Sequence, residues 1–428
     1  MTYNTITIVQ GGQYGSEAKG AIAGYLCRTR AYDYAVRTGA TNAGHTVYVK
    51  GLPVKMQQLP VGFVSPNTKL VLGAGSIIDP EILAREVALI NSLHPGTDVC
   101  DRLIIDRRAY LHRREHADRS ASSGRHHLMG ATGKGCSEAL VDRVMLRGKE
   151  DWTFGKSEFA KDYDVCDTEM ILNTSWDEGA TIMLEGTQGQ LLDLCLGPYP
   201  YTTHKQTGPA QWMLEAGLSP ALPTEIVMVV RTFPIRVAGN SGPLPQEISW
   251  PILAREINGI RIVNGQTPLV KEESIREFEE AIRWQANAMF VPKGSDGLDQ
   301  HAWSEADRLR NRNTLSELNT YAWKSLTPEI QADLSRLFEL TTVTKKLRRI
   351  ARLDLATLRA SARQVRPHWV ALTFMNYLFP ERWYNPPTDL SPDEREFVRQ
   401  VEEACQAPVR LISYGPEDSH LLRWNSTP

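Results

Sequence analysis

Residues 5–20 read TITIVQGGQYGSEAKG: an apolar run from Thr5 to Val9, then a glycine-rich segment from Gln10 to Gly20, ahead of an apolar helical pattern over Ala21 to Cys27. A strand that runs through glycines into a helix is the building unit of an α/β protein. The glycines let backbone amides approach an anion, a helix N-terminus adds positive potential, and Lys19 brings charge to phosphate oxygens. The spacing departs from the standard Walker loop. Alone, the segment reads either as a phosphate loop or as a plain glycine-rich turn.

Outward from it the pattern recurs. Leu70 to Leu72, Leu103 to Ile105, Thr181 to Leu184, Ile226 to Val230, Val370 to Leu372 and Val409 to Ile412 are short apolar runs bounded by turn residues. Helical spacing separates most of them, which predicts a largely parallel sheet. The stretch 271–339 differs, being dense in Glu, Arg, Ala, Leu and Trp. It predicts helices over Glu272 to Met289, Ala302 to Ala322 and Pro328 to Phe338, with a turn from Lys293 to Gly297. We read 1–428 as one domain that carries a helical insertion over 271–339.

Among the 428 residues, 48 Lys plus Arg face 50 Asp plus Glu, so no global field favours a nucleic-acid polymer, and any polyanion is met locally. Hydrophobic content of 42% and charged content of 23% exclude a disordered chain. The first ten residues lack the pattern of a secretory signal and no run is apolar enough to cross a bilayer, which predicts a cytoplasmic protein without a membrane partner. Six cysteines without CxxC pairs predict reduced thiols rather than a zinc site or disulfides. The basic stretch from Arg102 to His127 either adds phosphate contacts or covers a loop.

Asn42-Ala43-Gly44-His45-Thr46 is the second informative segment. A lone histidine is more often structural, yet its small neighbours permit close ligand approach and its near-neutral pKa suits proton transfer. With the first loop, this segment resembles the adenylosuccinate synthetase family. The resemblance continues at Gly130 to Gly135, Glu185 to Gly189, Leu191 to Thr203, Arg236 to Gly239, Thr341 to Asp354, Leu372-Thr373 and Ser413 to Pro416, in the family's order. It implies a P-loop-type α/β fold with a central, mostly parallel sheet. It also implies a carbon–nitrogen ligase, homodimeric and magnesium-dependent (Mg2+). Such an enzyme joins the amine of L-aspartate to the six position of a 6-oxopurine nucleotide after a nucleoside triphosphate has phosphorylated the six-oxygen.

By this resemblance Lys19 and the loop residues Gly15, Ser16, Glu17, Ala18 and Gly20 meet the phosphoryl group, and His45 acts as the acid. Gly44 and Thr46 meet the nucleoside triphosphate, Gly44 also offers a carbonyl to magnesium, and Ser16 occupies the other metal-ligand position. Asn42, Ala43, Thr132, Gln188, Thr203 and Lys346 match residues that hold the purine nucleotide; Arg147 lies within one position of an intersubunit arginine. Thr344 and Arg348 match the aspartate loop, and Asn376, Ser413 and Gly415 fall where the triphosphate donor binds.

The departures carry the specificity. Ser16 replaces the family's catalytic aspartate, so a neutral hydroxyl, a weak base with room beside it for a two-amino group, faces the purine. Asn376 replaces the carboxylate that reads guanine in GTP; its amide offers both a donor and an acceptor, which suits ATP or dATP. Both changes resemble the bacteriophage 2-aminoadenylosuccinate synthase branch, which implies dGMP as acceptor and a product on the route to 2,6-diaminopurine, made in the host cytoplasm. Ala18 in place of a glycine, the retained Glu17 and the insertion depart from that branch. No residue is a decisive reader of the sugar's two-prime position, so GMP stays beside dGMP as acceptor, and two other readings stay open: an adenylosuccinate synthetase using IMP and GTP, and a non-catalytic nucleotide sensor.

Overall fold

The computed structural model describes residues 5–125, 129–147, 151–290, 318–341 and 345–425. Ten strands form its main sheet: β1 (Ile6–Gly11), β2 (Tyr34–Arg37), β3 (Lys69–Leu72), β4 (Leu103–Asp106), β5 (Asp164–Cys166), β6 (Ile182–Glu185), β7 (Thr224–Arg231), β8 (Trp369–Thr373), β9 (Val409–Ser413) and β10 (Leu421–Arg423). Their spatial order is β10-β9-β8-β7-β1-β6-β2-β3-β4-β5. Every neighbouring pair is parallel except β9 with the edge strand β10.

The apolar runs are buried on both faces, as a parallel sheet under helices requires. In β7, Val227 and Val229 point into a core shared with Ile22 and Leu26 of α1 (Lys19–Arg30). Met228 and Val230 point the other way, against Leu358 and Val398 of the helices Leu355–Val365 and Pro392–Cys405. The period of two along the strand thus divides one run of valines between two cores. β1 lies between β6 and β7, where the chain's progress across the sheet reverses, and in such sheets that crevice at the carboxyl ends takes the ligand.

All seven anticipated strands are present. The sequence reading missed β2, β5 and β10, in which only two apolar residues stand beside charged or tyrosine ends. In the anticipated insertion the first helix runs Glu272–Phe290. Residues 318–325 are helical, whereas the rest of the expected Ala302 to Ala322 helix and the 293–297 turn lie outside the described residues. The third helix stops at Leu334, short of the expected Phe338. Phe338 instead leaves the helix to pack among Trp250, Phe278 and Trp323. That cluster continues onto Ile235 and Ile350, in a small antiparallel sheet of three strands beside the crevice.

Among the described residues no helix is long and apolar enough to cross a membrane. All six cysteines are free thiols, and burial pushes Cys136 up to about 11 and Cys405 up to about 12.

Candidate active site

The loop after β1 closes on itself. Glu17 accepts the backbone amides of Gln13 at 3.0 Å and Gly15 at 2.7 Å, and pairs with Lys19 Nζ at 2.9 Å. Both side chains are buried. A Cβ on Gly11 would lie 2.6 Å from the Gln188 carbonyl oxygen, 2.8 Å from Glu17 Oε2 and 2.9 Å from Lys19 Nζ, so the backbone beyond the strand and this pair together require glycine there. The carboxylate therefore occupies amides and an ammonium of the type that bind phosphate. Ala18 caps α1 in a left-handed conformation, φ 66°, with no side-chain hydrogen bond. The first helical amides thus have no side-chain cap.

His45 opens the strand His45–Val49 and packs directly on the start of α1: a Cβ on Gly20 would lie 2.8 Å from His45 Cβ. Its Nδ1 bonds Glu185 at the end of β6. Glu185 also accepts Arg37 Nη1 at 3.0 Å and the Val61 amide at 2.7 Å. Burial, reinforced by Arg37, lowers His45 to about 4 against the opposing pull of Glu185. Burial raises Glu185, but His45, Arg37 and the Val61 amide outweigh it and hold the carboxyl below its ordinary range. The imidazole is thus neutral, with its Nδ1 proton directed to Glu185. Its buried Nε2 has no hydrogen-bond partner. A buried nitrogen left open in this way is a site for a ligand atom.

Ser16 Oγ accepts Arg348 Nη1 at 2.8 Å. A second arginine, Arg231 at the end of β7, reaches the Ser16 carbonyl at 3.4 Å. Glu339 binds the Arg231 guanidinium, accepts Tyr377 Oη at 3.0 Å, and takes the Arg348 amide on its own carbonyl at 2.9 Å. Burial opposes ionisation of Glu339, but Arg231 and Arg348 prevail and keep its carboxyl below the usual value. The Arg231 guanidinium also lies 3.6 Å from the centre of the Phe374 ring. Burial lowers Arg348 while Glu339 resists the shift.

The remaining anticipated residues are spread over several elements. Asn42 is half-buried, its backbone bonded to the Cys136 thiol, which also contacts Thr41 Oγ1 at 3.9 Å, and Thr132 is half-buried in the segment that leads to Cys136. Ala43 offers its carbonyl to Arg37 at 2.8 Å, Gly44 is exposed, and Thr46 is half-buried on the same hairpin. Gln188, in a left-handed turn at φ 63°, follows β6 and lies against the first loop, while Thr203 Oγ1 contacts His204 at 3.4 Å. Lys346 is half-buried at the turn leading to Arg348. Asn376 is buried one residue past the start of the short helix Met375–Leu378, after β8. Ser413 ends β9 and bonds the Gly415 carbonyl at 2.6 Å. Arg147 is exposed, its Nε on the Val144 carbonyl at 2.9 Å, away from these groups' hydrogen bonds. Thr344 and part of the Arg102 to His127 stretch lie outside the described residues.

The sequence reading missed Arg37, Arg231 and Glu339 as participants. Arg231 and Arg37 both end apolar strands, where an arginine at a carboxyl end was the available signal.

Magnesium at Ser16 does not fit. A cation there would face the guanidinium 2.8 Å from the same oxygen. No group of three or more His, Cys, Asp or Glu among the described residues could hold a metal ion.

A model of the adenylosuccinate synthetase family matches residues 8–163 and 153–379. An adenylosuccinate synthetase from Pyrococcus sp. (strain ST700) is 29% identical over 97% of each chain. One from Methanocaldococcus jannaschii is 33% identical over 73% of this chain and 88% of its own. Among solved structures, cyanophage S-2L succinoaminodeoxyadenylate synthetase (PurZ), bound to dGMP and dATP as an energy donor, superposes with a TM-score of 0.67 at 22% identity, covering 98% of this chain and 95% of that one. Fully ligated adenylosuccinate synthetase from Plasmodium falciparum gives 0.68 at 17% identity, covering 99% of this chain and all of the other.

Proposed function

We propose, for a chain that belongs to the adenylosuccinate synthetase family and so to the carbon–nitrogen ligases, that its acceptor is dGMP and its energy donor ATP or dATP, the product being the succino adduct that leads to 2,6-diaminopurine. The observation that carries this reading is Ser16 with Arg348 on its oxygen. A hydroxyl oxygen has two acceptor sites and one proton. With one acceptor site taken by Arg348, the other can receive the two-amino group that guanine has and hypoxanthine lacks. The structural relative bound to dGMP and dATP supports the same assignment.

The chemistry is positioning and charge compensation at a phosphoryl group. Lys19, now on Glu17, and the uncapped amides of α1 meet the transferred phosphoryl. His45 Nε2 faces the six-oxygen. The anionic phosphates raise its low pKa on binding, and Glu185 steadies the imidazolium so formed. The purine nucleotide lies among Asn42, Ala43, Thr132, Gln188, Thr203 and Lys346. Arg348 and the segment bearing Thr344 receive the aspartate carboxylates, Arg348 with the part of its guanidinium other than the Nη1 that Ser16 holds. The exposed Gly44 carbonyl would be the protein's ligand to magnesium, which would supply charge compensation at the phosphates of the triphosphate. A homodimer is part of the proposal: Val141, Val144 and Met145 form an exposed apolar strip on the helix that precedes Arg147, which places that arginine at the edge of the contact.

The Pyrococcus relative favours a second reading, in which IMP is the acceptor despite the serine. Ser16→Asp separates the two. Under the dGMP reading it restores a carboxylate, reduces the kcat/KM ratio of dGMP to IMP by at least ~100-fold, and an unchanged ratio removes Ser16 from acceptor selection.

A further inference from the structure

A run of aromatic rings links the two segments assigned to the energy donor. Phe374 meets Tyr377 edge-on at 5.3 Å, and Tyr377 stacks on Trp383 at 5.4 Å and 11°. Trp383 contacts Tyr384 at 5.9 Å, and Tyr384 stacks on His420 at 4.9 Å and 12°. Asn376 lies at one end of the run and the Ser413-Tyr414-Gly415 turn at the other. That turn is built around the last ring pair. A Cβ on Gly415 would lie 2.5 Å from Tyr384 Cδ1 and 2.6 Å from His420 Nδ1. The Tyr384 amide donates to the Tyr414 carbonyl at 3.1 Å, and the Tyr414 amide to the His420 carbonyl at 2.9 Å.

Tyr384 has two features that packing alone does not explain. Its side chain backs onto His420, yet the residue is 50% exposed. Its backbone holds φ 59°, a left-handed conformation unfavourable for a residue with a Cβ. Strain of this kind persists where the surroundings hold a side chain in a required place. Across from it, Tyr48 on the strand that begins with His45 is close enough for the two phenols to interact electrostatically.

Resting on the donor-site reading of Asn376, Ser413 and Gly415, we infer that Tyr384, braced by His420, is the stacking surface for the purine base of the nucleoside triphosphate. A π face accepts any purine, so affinity for the base comes from stacking and only the choice among purines falls to the Asn376 amide. That division explains how a donor site keeps its hold on the base after losing an ionic reader.

Calorimetric titration of the full chain with ATP and, separately, with inorganic tripolyphosphate tests this. Tyr384→Ala is expected to weaken ATP binding by roughly 5- to 150-fold, the range for losing one base–aromatic stack, while tripolyphosphate binds as before; Tyr384→Phe restores ATP affinity to within about twofold. Unchanged ATP affinity in Tyr384→Ala overturns the inference, and so does an equal loss for ATP and tripolyphosphate, which marks a structural role. If the wild type binds GTP and not ATP, the ATP assignment fails by itself, and the same variants titrated with GTP decide the stacking role.

Discussion

Replacing His45 with alanine removes the acid of the proposed reaction, and the bonds around it allow that loss to be isolated. The imidazole contributes an Nε2 with no partner and an Nδ1 bonded to Glu185. After truncation, Glu185 still holds Arg37 at 3.0 Å and the Val61 amide at 2.7 Å, so its charge remains compensated and the fold around β6 keeps its anchor. The kinetic loss should therefore reflect the missing acid. General acid catalysis contributes about 10²–10⁴-fold, which corresponds to about 3–5 kcal/mol of transition-state stabilisation. Initial rates with saturating aspartate and ATP, read by phosphate release, give kcat; titrating each substrate gives KM. A fall in kcat of that size, with KM for the nucleotides within about threefold, is expected. Glu185→Gln should lower kcat in the same direction but less, since it leaves the imidazole and removes only the charge that steadies its protonated form. Near-normal kcat in His45→Ala would refute the role.

Other consequences are open to direct measurement. Asn376→Asp is expected to move donor preference from ATP toward GTP by at least ~10-fold in kcat/KM, because a carboxylate pairs with guanine's two adjacent donors; an unchanged ratio discards that reading. Ala18→Gly should raise unfolding free energy by about 1 kcal/mol in urea titration, since glycine adopts φ 66° without the Cβ penalty. A decrease would show that Ala18 packs favourably there. Folding holds His45 near 4 against an ordinary value of 6.5. The unfolded chain then binds more protons between these values, so stability is retained above about pH 6.5 and falls as pH drops toward 4. The His45 share is on the order of 2 kcal/mol between pH 7 and 5, and it should vanish in His45→Ala when urea unfolding is compared at both values.

Much of this was legible in the chain. Apolar runs between turn residues located seven strands because a sheet covered on both faces makes its strands nearly continuous in hydrophobicity. β2 escaped because Tyr34–Arg37 has only Ala35 and Val36 between a tyrosine and the arginine that grips Glu185. The first loop was recognisable from its glycines, but its closed state was not: that Glu17 folds back onto the amides of Gln13 and Gly15 depends on tertiary geometry. Likewise the motif around Arg348 pointed to a carboxylate ligand, whereas its bond to Ser16 spans more than three hundred residues and leaves no local pattern. Glu339 and Arg231 were invisible for the same reason, since neither carries meaning until the two are brought together.

The claim that most needs testing is acceptor identity. Purified protein supplied with aspartate, magnesium and ATP, and with dGMP, GMP or IMP in parallel, gives it in one chromatographic assay of the succino product. The account predicts product from dGMP, with IMP a poor substrate. Product from IMP alone would contradict it and return the chain to ordinary adenylosuccinate synthesis.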